Sequence, residues 1–149
     1  MKYFAYGSNM SVAQMKNRGC VNYKLIGPAK LNNHKFVYSG SSPNWEMKGT
    51  ANVIEDNGSE VWGILFDVTD HCLSRLDAYE HVPVRRSRKK VSVSDLESQS
   101  HDAFVYTLNT DLEFNNPSEE YHSQILSSAE EVGLPRDYIQ SLHKLKKTE

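Results

Sequence analysis

The segment from Val61 to Val68 constrains the fold of this chain more than any other. Its residues, Val-Trp-Gly-Ile-Leu-Phe-Asp-Val, place apolar side chains on both faces of an extended strand. Such a strand is central in a sheet or lies inside a closed one, because exposing the apolar side chains of either face to water is unfavourable. The apolar run, Val61 to Phe66, is far shorter than the roughly 20 residues of a membrane-spanning helix. The chain must therefore cover this strand with other strands and helices.

The N-terminal half of the chain predicts strands and one short helix. Residues 2–6 have the pattern of a buried strand, and a helix capped by Ser11 follows a Gly-Ser-Asn turn. The Asn57-Gly58 pair predicts a hairpin between residues 51–55 and 61–68, because this dipeptide supplies the positive φ angles of a two-residue turn.

The C-terminal half predicts a helix, a strand pair and two final helices. Asp70 is the predicted cap of the first helix, residues 86–93 and 103–108 form the strand pair, and Asn116-Pro117 opens the last helical region. The whole order is an α+β order. It lacks the strict alternation of strands and helices that a doubly wound fold requires.

Composition excludes several classes of protein. The chain has 149 residues, 38% of them hydrophobic and 24% charged, which predicts one globular domain over residues 1–149. Its 17 basic and 19 acidic residues give a net charge of −2, so the chain as a whole is not a surface for nucleic acid or anionic lipid. Cys20 and Cys72 predict thiols rather than a disulfide framework. With no secretory pattern at the N-terminus, they predict a cytoplasmic protein.

The first candidate site is the turn after the N-terminal strand. A strand that ends at Gly7-Ser8-Asn9 and opens a helix presents backbone N–H groups, and Gly7 lets the backbone approach a ligand closely. Such a turn suits a carboxylate or a developing oxyanion. On composition alone, an ordinary strand-to-helix turn is the alternative.

The second candidate is Glu80, near the end of a helix with an apolar face. A carboxylate at a helix C-terminus is disfavoured by the helix dipole, and local conflicts of this kind often mark functional sites. His81, next in the chain, is a candidate for proton transfer. A solvated surface glutamate is the alternative for Glu80.

Two further features can be explained by function or by structure alone. Residues 85–90, Arg-Arg-Ser-Arg-Lys-Lys, are called the basic cluster below. The cluster suits an anionic partner, or it is a solvated edge strand whose charges discourage aggregation. Tyr121 lies in the first turns of a helix, where its hydroxyl points into a cleft or its ring packs in the core.

Four segments together resemble the γ-glutamylcyclotransferase family, also called AIG2-like. They are YFAYGSNM at residues 3–10, DNGSEVWGILFDV at 56–68, LDAYEHVP at 76–83, and NPSEEY followed by EVGLPRDYIQSL near the C-terminus. Within that family the segments are most similar to the γ-glutamyl amino acid cyclotransferases. The resemblance extends over nearly the whole chain.

The resemblance implies a fold and a reaction. The fold is α+β, a small mixed β-barrel-like sheet with peripheral helices and a cavity at the Gly7-Ser8-Asn9 turn. In the reaction, the α-amine of a γ-glutamyl group attacks its own γ-carbonyl and releases 5-oxoproline with an amino acid or amine. The implied partner is a small γ-glutamyl substrate, with no cofactor, metal, nucleic acid or membrane. A homodimer is left open as the assembly.

The resemblance also assigns residues. Glu80 is the implied general acid/base, and Tyr121 is an implied substrate contact. The implied substrate-binding stretch consists of Tyr3, Phe4, Ala5, Tyr6, Gly7, Ser8 and Asn9. Secondary candidates are His81, where many relatives have glycine, and Arg88, which fits the arginine of a Tyr-x-Arg pattern. Arg86 occupies the tyrosine position of that pattern. These departures affect the identity of the substrate more than the type of reaction.

The alternative function is a catalytically idle member of the family that binds a small carboxylate or an anionic partner through the basic cluster. The two functions predict different structures. In an enzyme, the Glu80 carboxylate faces the Gly7-Ser8 amides across one cavity. In a binding module, the basic cluster forms the dominant exposed patch.

Overall fold

A computed structural model describes residues 1–148 and shows a closed barrel of five strands. In chain order the strands are β1 Lys2–Ala5, β2 Tyr23–Ser42, β3 Lys48–Val68, β4 Arg86–Asp95 and β5 Ser100–Leu108. Around the barrel the order is β1-β3-β2-β4-β5. Neighbouring strands are antiparallel except β1 and β5, which meet in parallel at Tyr3 and Phe104. The predicted α+β fold with a mixed, barrel-like sheet is confirmed.

β2 and β3 form one long hairpin. Their antiparallel register extends from Tyr23 opposite Val68 to Ser42 opposite Lys48. The connection between them contains a single 3-10 turn at Pro43–Trp45. This connection lies beside the functional site described below, so the hairpin brings a segment from the middle of the chain to the N-terminal turn.

The Asn57-Gly58 pair lies at a bulge and not at a hairpin turn. Opposite Asn33, the residues between Glu55 and Glu60 leave the β2–β3 ladder. Gly58 has a φ of 89°, and its N–H donates to Asn33 Oδ1 at 3.1 Å. The hairpin predicted around this pair is therefore wrong, because the segments on both sides of it pair with β2. A positive φ serves a bulge as well as a turn.

Helices surround the barrel. Within residues 1–148 they are α1 Val12–Asn17, α2 Asp70–Glu80, α3 Glu119–Glu131 and α4 Arg136–His143. Ser11 caps α1 as predicted, and its side chain accepts from the Gln14 N–H. The predicted cap of α2 is one residue out, because Thr69 Oγ1, rather than Asp70, accepts the Cys72 N–H. No helix in this range is long and apolar enough to cross a membrane.

The core fills the barrel and extends under the helices. Val61, Ile64, Leu65 and Phe66 of β3 are each at most 1% exposed. Because Ile64 and Leu65 point to opposite faces of the strand, both faces of β3 are covered, as the sequence predicted. Helix α3 buries a stripe at the helical spacing of i, i+4 and i+8, formed by Tyr121, Ile125 and Ala129.

Cys20 and Cys72 are joined in a disulfide. Both are fully buried, and the bond links the segment after α1 to the first turn of α2. The prediction of two free thiols is wrong, because the fold brings together Cα atoms 52 residues apart in sequence to 4.5 Å. Sequence alone does not give such a distance. The cytoplasmic location, which rested partly on those thiols, stays a prediction.

Candidate active site

A cavity of about 100 Å³ opens where three parts of the chain meet. They are the Gly7-Ser8-Asn9 turn, the C-terminal end of α2 and the β2–β3 connection. Eight of the residues singled out in the sequence line this cavity: Tyr3, Tyr6, Gly7, Ser8, Asn9, Glu80, His81 and Tyr121. Phe4 and Ala5 are instead buried in the core, with their strand paired to β3. Arg88 lies outside the cavity.

The turn after β1 lines the cavity and packs closely against β3. A Cβ on Gly7 would lie 3.1 Å from the Ala51 Cβ, so a larger residue would crowd β3. Ser8 and Asn9 begin a 3-10 helix, and the first N–H groups of a helix have no partner within it. The Asn9 side chain donates to Tyr3 Oη at 3.0 Å. Its Oδ1 is buried and has no partner among the described residues. The turn therefore offers polar groups to a ligand.

Glu80 ends α2 and is held by a buried arginine. Glu80 Oε2 lies 3.0 Å from Arg86 Nε, and the two side chains are 15% and 7% exposed. Arg86 Nη2 also donates to Thr50 Oγ1 at 3.0 Å and to the Ala51 carbonyl at 3.1 Å. The guanidinium thus ties the end of α2 to the start of β3. It fixes the orientation of the Glu80 carboxylate at the cavity wall.

The charge on Arg86 is stabilised by its surroundings. Burial by itself would lower the pKa of Arg86, but the Glu80 carboxylate and the Tyr6 hydroxyl more than offset this effect, so the pKa is raised. A buried cation of this kind persists only with a paired anion and satisfied hydrogen bonds. The pair is therefore a fixed element of the cavity wall.

Tyr121 supplies a neutral hydroxyl. The Ala51 N–H donates to Tyr121 Oη at 3.0 Å, and the Tyr121 ring packs on Trp45 with centroids 4.7 Å apart. Burial raises the pKa of Tyr121 to about 12, so the hydroxyl keeps its proton near neutral pH. Because the oxygen accepts from Ala51, its proton remains available to a ligand.

His81 is an exposed residue at the rim. It caps α2 with a φ of 55°, in the left-handed region that glycine adopts most easily. This explains in physical terms why glycine suits the position. The role of His81 in proton transfer stays a prediction.

The basic cluster does not form one exposed patch. Arg85 and Arg86 line the cavity, and Arg88 pairs with Asp77 at 3.5 Å on the surface. Lys89 Nζ lies 3.4 Å from Glu55 Oε1, and the Lys90 side chain is exposed. The cluster is therefore divided between the cavity wall and the surface, and the alternative function as a binding module stays a prediction.

Several cavity residues were not assigned from the sequence. They are Ser42, Pro43, Asn44, Trp45, Thr50, Ala51, Tyr79 and Tyr106, and the cavity also contains Arg85 and Arg86 of the basic cluster. Four of the unassigned residues lie in or next to the 3-10 turn at Pro43–Trp45, where a tryptophan within a polar segment was the available signal. Among residues 1–148, no group of three or more His, Cys, Asp or Glu side chains is arranged to hold a metal ion.

Comparison with known proteins identifies the family. The model of the AIG2-like family matches residues 60–142, more than half of the chain. The chain belongs to the AIG2-like family. The γ-glutamylcyclotransferase of Bos taurus is 31% identical over 155 residues, which cover 96% of this chain and 77% of that protein. The γ-glutamylcyclotransferase of Homo sapiens is 30% identical over 145 residues, which cover 94% and 76%.

Solved structures agree with this AIG2-like assignment. A γ-glutamyl cyclotransferase structure superposes with a TM-score of 0.91 at 27% identity, covering 100% of this chain and 89% of that one. A Bacillus subtilis protein of 22% identity superposes with a TM-score of 0.84, over 97% of this chain and 53% of its own, and supports the fold alone. The predicted membership of this enzyme family is confirmed.

Proposed function

We propose that this chain is a γ-glutamylcyclotransferase that converts a small γ-glutamyl amide into 5-oxoproline and a released amine. The observation that carries the proposal is that one cavity is lined both by Glu80 and by the Gly7-Ser8-Asn9 turn. A carboxylate and a set of backbone donors are the groups that this reaction needs. Membership of the AIG2-like family and the names of the relatives support the same reaction.

Binding orients the two charged groups on the glutamyl α-carbon toward different parts of the cavity wall. The substrate α-carboxylate accepts hydrogen bonds from the turn amides at Ser8 and Asn9. The α-ammonium lies against the Glu80 carboxylate, and the Tyr121 hydroxyl donates to a substrate oxygen. Ring closure within one molecule gains most from a fixed geometry, because orientation replaces a bimolecular encounter.

Catalysis requires the transfer of protons in two directions. Glu80 takes a proton from the α-ammonium, and the free amine attacks the γ-carbonyl carbon. The new C–N bond gives a tetrahedral oxyanion that backbone donors stabilise. Glu80 then gives its proton to the leaving nitrogen and the old C–N bond breaks. After this step the ring nitrogen still carries two protons. The released amine accepts one of them and departs as ammonium.

Arg86 acts as a positioning residue in this scheme. Its Nε holds one oxygen of the Glu80 carboxylate at 3.0 Å, and its Nη2 is tied to β3. A carboxylate held in this way loses little orientational freedom when substrate binds, which favours a near-attack geometry.

The test is release of 5-oxoproline from γ-glutamyl-alanine, glutathione, γ-glutamyl-lysine and a γ-glutamyl-amine. Glu80→Gln should lower kcat by about 100-fold to 10,000-fold, the usual contribution of a general acid/base. The glutamine oxygen can still accept from Arg86, so the variant keeps this hydrogen bond but loses the charge pairing, and circular dichroism should show that it remains folded at the assay temperature. Glu131→Gln is the matched control, since Glu131 is exposed at the end of α3. Near-normal turnover in Glu80→Gln would contradict the assignment.

A further inference from the structure

Arg85 is a cation of the cavity wall that the proposed reaction leaves unused. It lines the cavity beside Arg86, but within residues 1–148 it has no salt bridge of its own. Its Nη1 donates to the Ser41 carbonyl at 3.1 Å. Its Nη2 is buried and has no hydrogen-bond partner among the described residues. The side chain is thus anchored at one nitrogen and unsatisfied at the other.

An unsatisfied guanidinium nitrogen favours an anionic ligand. A buried donor without a partner is destabilising, and a carboxylate provides the strongest acceptor for a guanidinium. Burial and the neighbouring Arg86 charge lower the pKa of Arg85, so an anion beside it would stabilise its charged form. Glu80 and Asp111 oppose this effect from a distance without forming an ion pair. A bound anion would accept the hydrogen bond that Arg85 Nη2 lacks, and it would also stabilise the positive charge of the guanidinium.

Charge matching within the cavity indicates which anion this is. Glu80 and Arg86 neutralise each other, so Arg85 is the remaining cation among the described arginines of the wall. A γ-glutamyl amino acid carries one ammonium and two carboxylates. The ammonium is taken by Glu80 and the glutamyl carboxylate by the turn, which leaves the second carboxylate on the departing amino acid.

We propose that Arg85 binds the carboxylate of the leaving amino acid or peptide, and thereby selects γ-glutamyl substrates whose leaving amine carries a carboxylate. This inference rests on the proposed function. Arg85 is suited to the task because its backbone is fixed: its N–H donates to the His81 carbonyl at 2.9 Å, and its carbonyl accepts from the Asn109 N–H at 3.0 Å. A guanidinium held at Nη1 alone can turn on this anchor to present Nη2.

The experiment compares two substrates that differ only in this carboxylate: γ-glutamyl-alanine and its C-terminal amide. The unmodified chain should convert γ-glutamyl-alanine with a kcat/KM about 10-fold to 100-fold higher, the range expected for a charge-assisted hydrogen bond. Arg85→Gln should remove that preference by lowering kcat/KM for γ-glutamyl-alanine alone. Arg85→Lys should keep part of it. Lys90→Gln, which removes an exposed charge of the same cluster, should leave the preference intact.

Each result has a distinct meaning. Equal losses on both substrates in Arg85→Gln would place Arg85 on the glutamyl carboxylate and overturn the inference. The absence of any preference in the unmodified chain would overturn it without a variant, even where Arg85→Gln does not fold. No release of 5-oxoproline from these two substrates or from the other three γ-glutamyl compounds named above would instead refute the proposed function.

Discussion

Replacement of Arg86 by methionine tests whether the buried ion pair holds the site together. Methionine fills much of the volume but removes the Nε contact to Glu80 and both Nη2 hydrogen bonds, to Thr50 and to Ala51. The Glu80 carboxylate, 15% exposed, then remains in the wall without its cation.

The expected loss follows from the burial of both partners. Removing one member of a buried pair lowers the free energy of unfolding by about 3–5 kcal/mol, because the other charge stays unpaired. Partial access of water to Glu80 places this case at the lower end, about 3 kcal/mol. For a chain of this size, that corresponds to a fall in Tm of roughly 6–12 °C. Glu80→Gln combined with Arg86→Met should recover part of the loss, since no carboxylate is left unpaired.

Arg88→Met is the matched control. Arg88 pairs with Asp77 at 3.5 Å, and these side chains are 36% and 23% exposed. Exposed pairs contribute about 0–1 kcal/mol, so the control should lose little. Denaturant unfolding followed by circular dichroism gives both values. If Arg86→Met were no less stable than Arg88→Met, the argument that burial makes the Arg86–Glu80 pair essential would be refuted.

Three further predictions concern other parts of the chain. Tyr121→Phe should leave the Ala51 N–H unpaired, lower stability by about 1–3 kcal/mol and raise KM more than it lowers kcat; unchanged kinetics would count against its contact with substrate. Burial lowers the pKa of His122 below 6.5, so the unfolded state takes up the proton first and stability falls as the pH drops below that value. His122→Gln should flatten this decline in unfolding measured against pH, and an identical profile would refute the cause. Reduction of the Cys20–Cys72 disulfide, whose partners are 52 residues apart, should lower the free energy of unfolding by about 4 kcal/mol, and Cys72→Ser should no longer respond to reductant.

Features set by local chemistry could be predicted from the sequence. The strand at residues 2–6 and the cap at Ser11 depend on neighbouring residues, and both occur within one residue of their predicted place. The apolar residues on both faces of β3 predicted, for the same reason, a strand that is central in a sheet or lies inside a closed one. The resemblance of four segments to a known family predicted that Glu80 and the turn at residues 7–9 belong to one site.

Features set by distant partners could not be predicted. Asn57-Gly58 supports a positive φ in a hairpin turn or in a bulge, and only the pairing of both flanks with β2 decides between them. The Cys20–Cys72 bond depends on how α1 and α2 pack. The resemblance favoured Arg88 as a secondary site residue, whereas the cavity contains Arg85 and Arg86. These three arginines differ in how deeply they are buried and in which groups they contact, and neither property can be read from the residue type.

The geometry of α2 and β4 explains how one run of basic residues takes different roles. Asp77 and Glu80 are three residues apart on a helix and therefore share a face, and Arg86 and Arg88 are two apart on a strand and share a side. The pairs Glu80–Arg86 and Asp77–Arg88 join these two rows. A shift of β4 by one residue would turn both arginines to the other side of the strand and release Glu80. The register of β4 against β5 therefore sets the position of the proposed catalytic carboxylate. Arg86 stands in the place where the family pattern has tyrosine, and from this position on β4 it holds the carboxylate that would carry the proton.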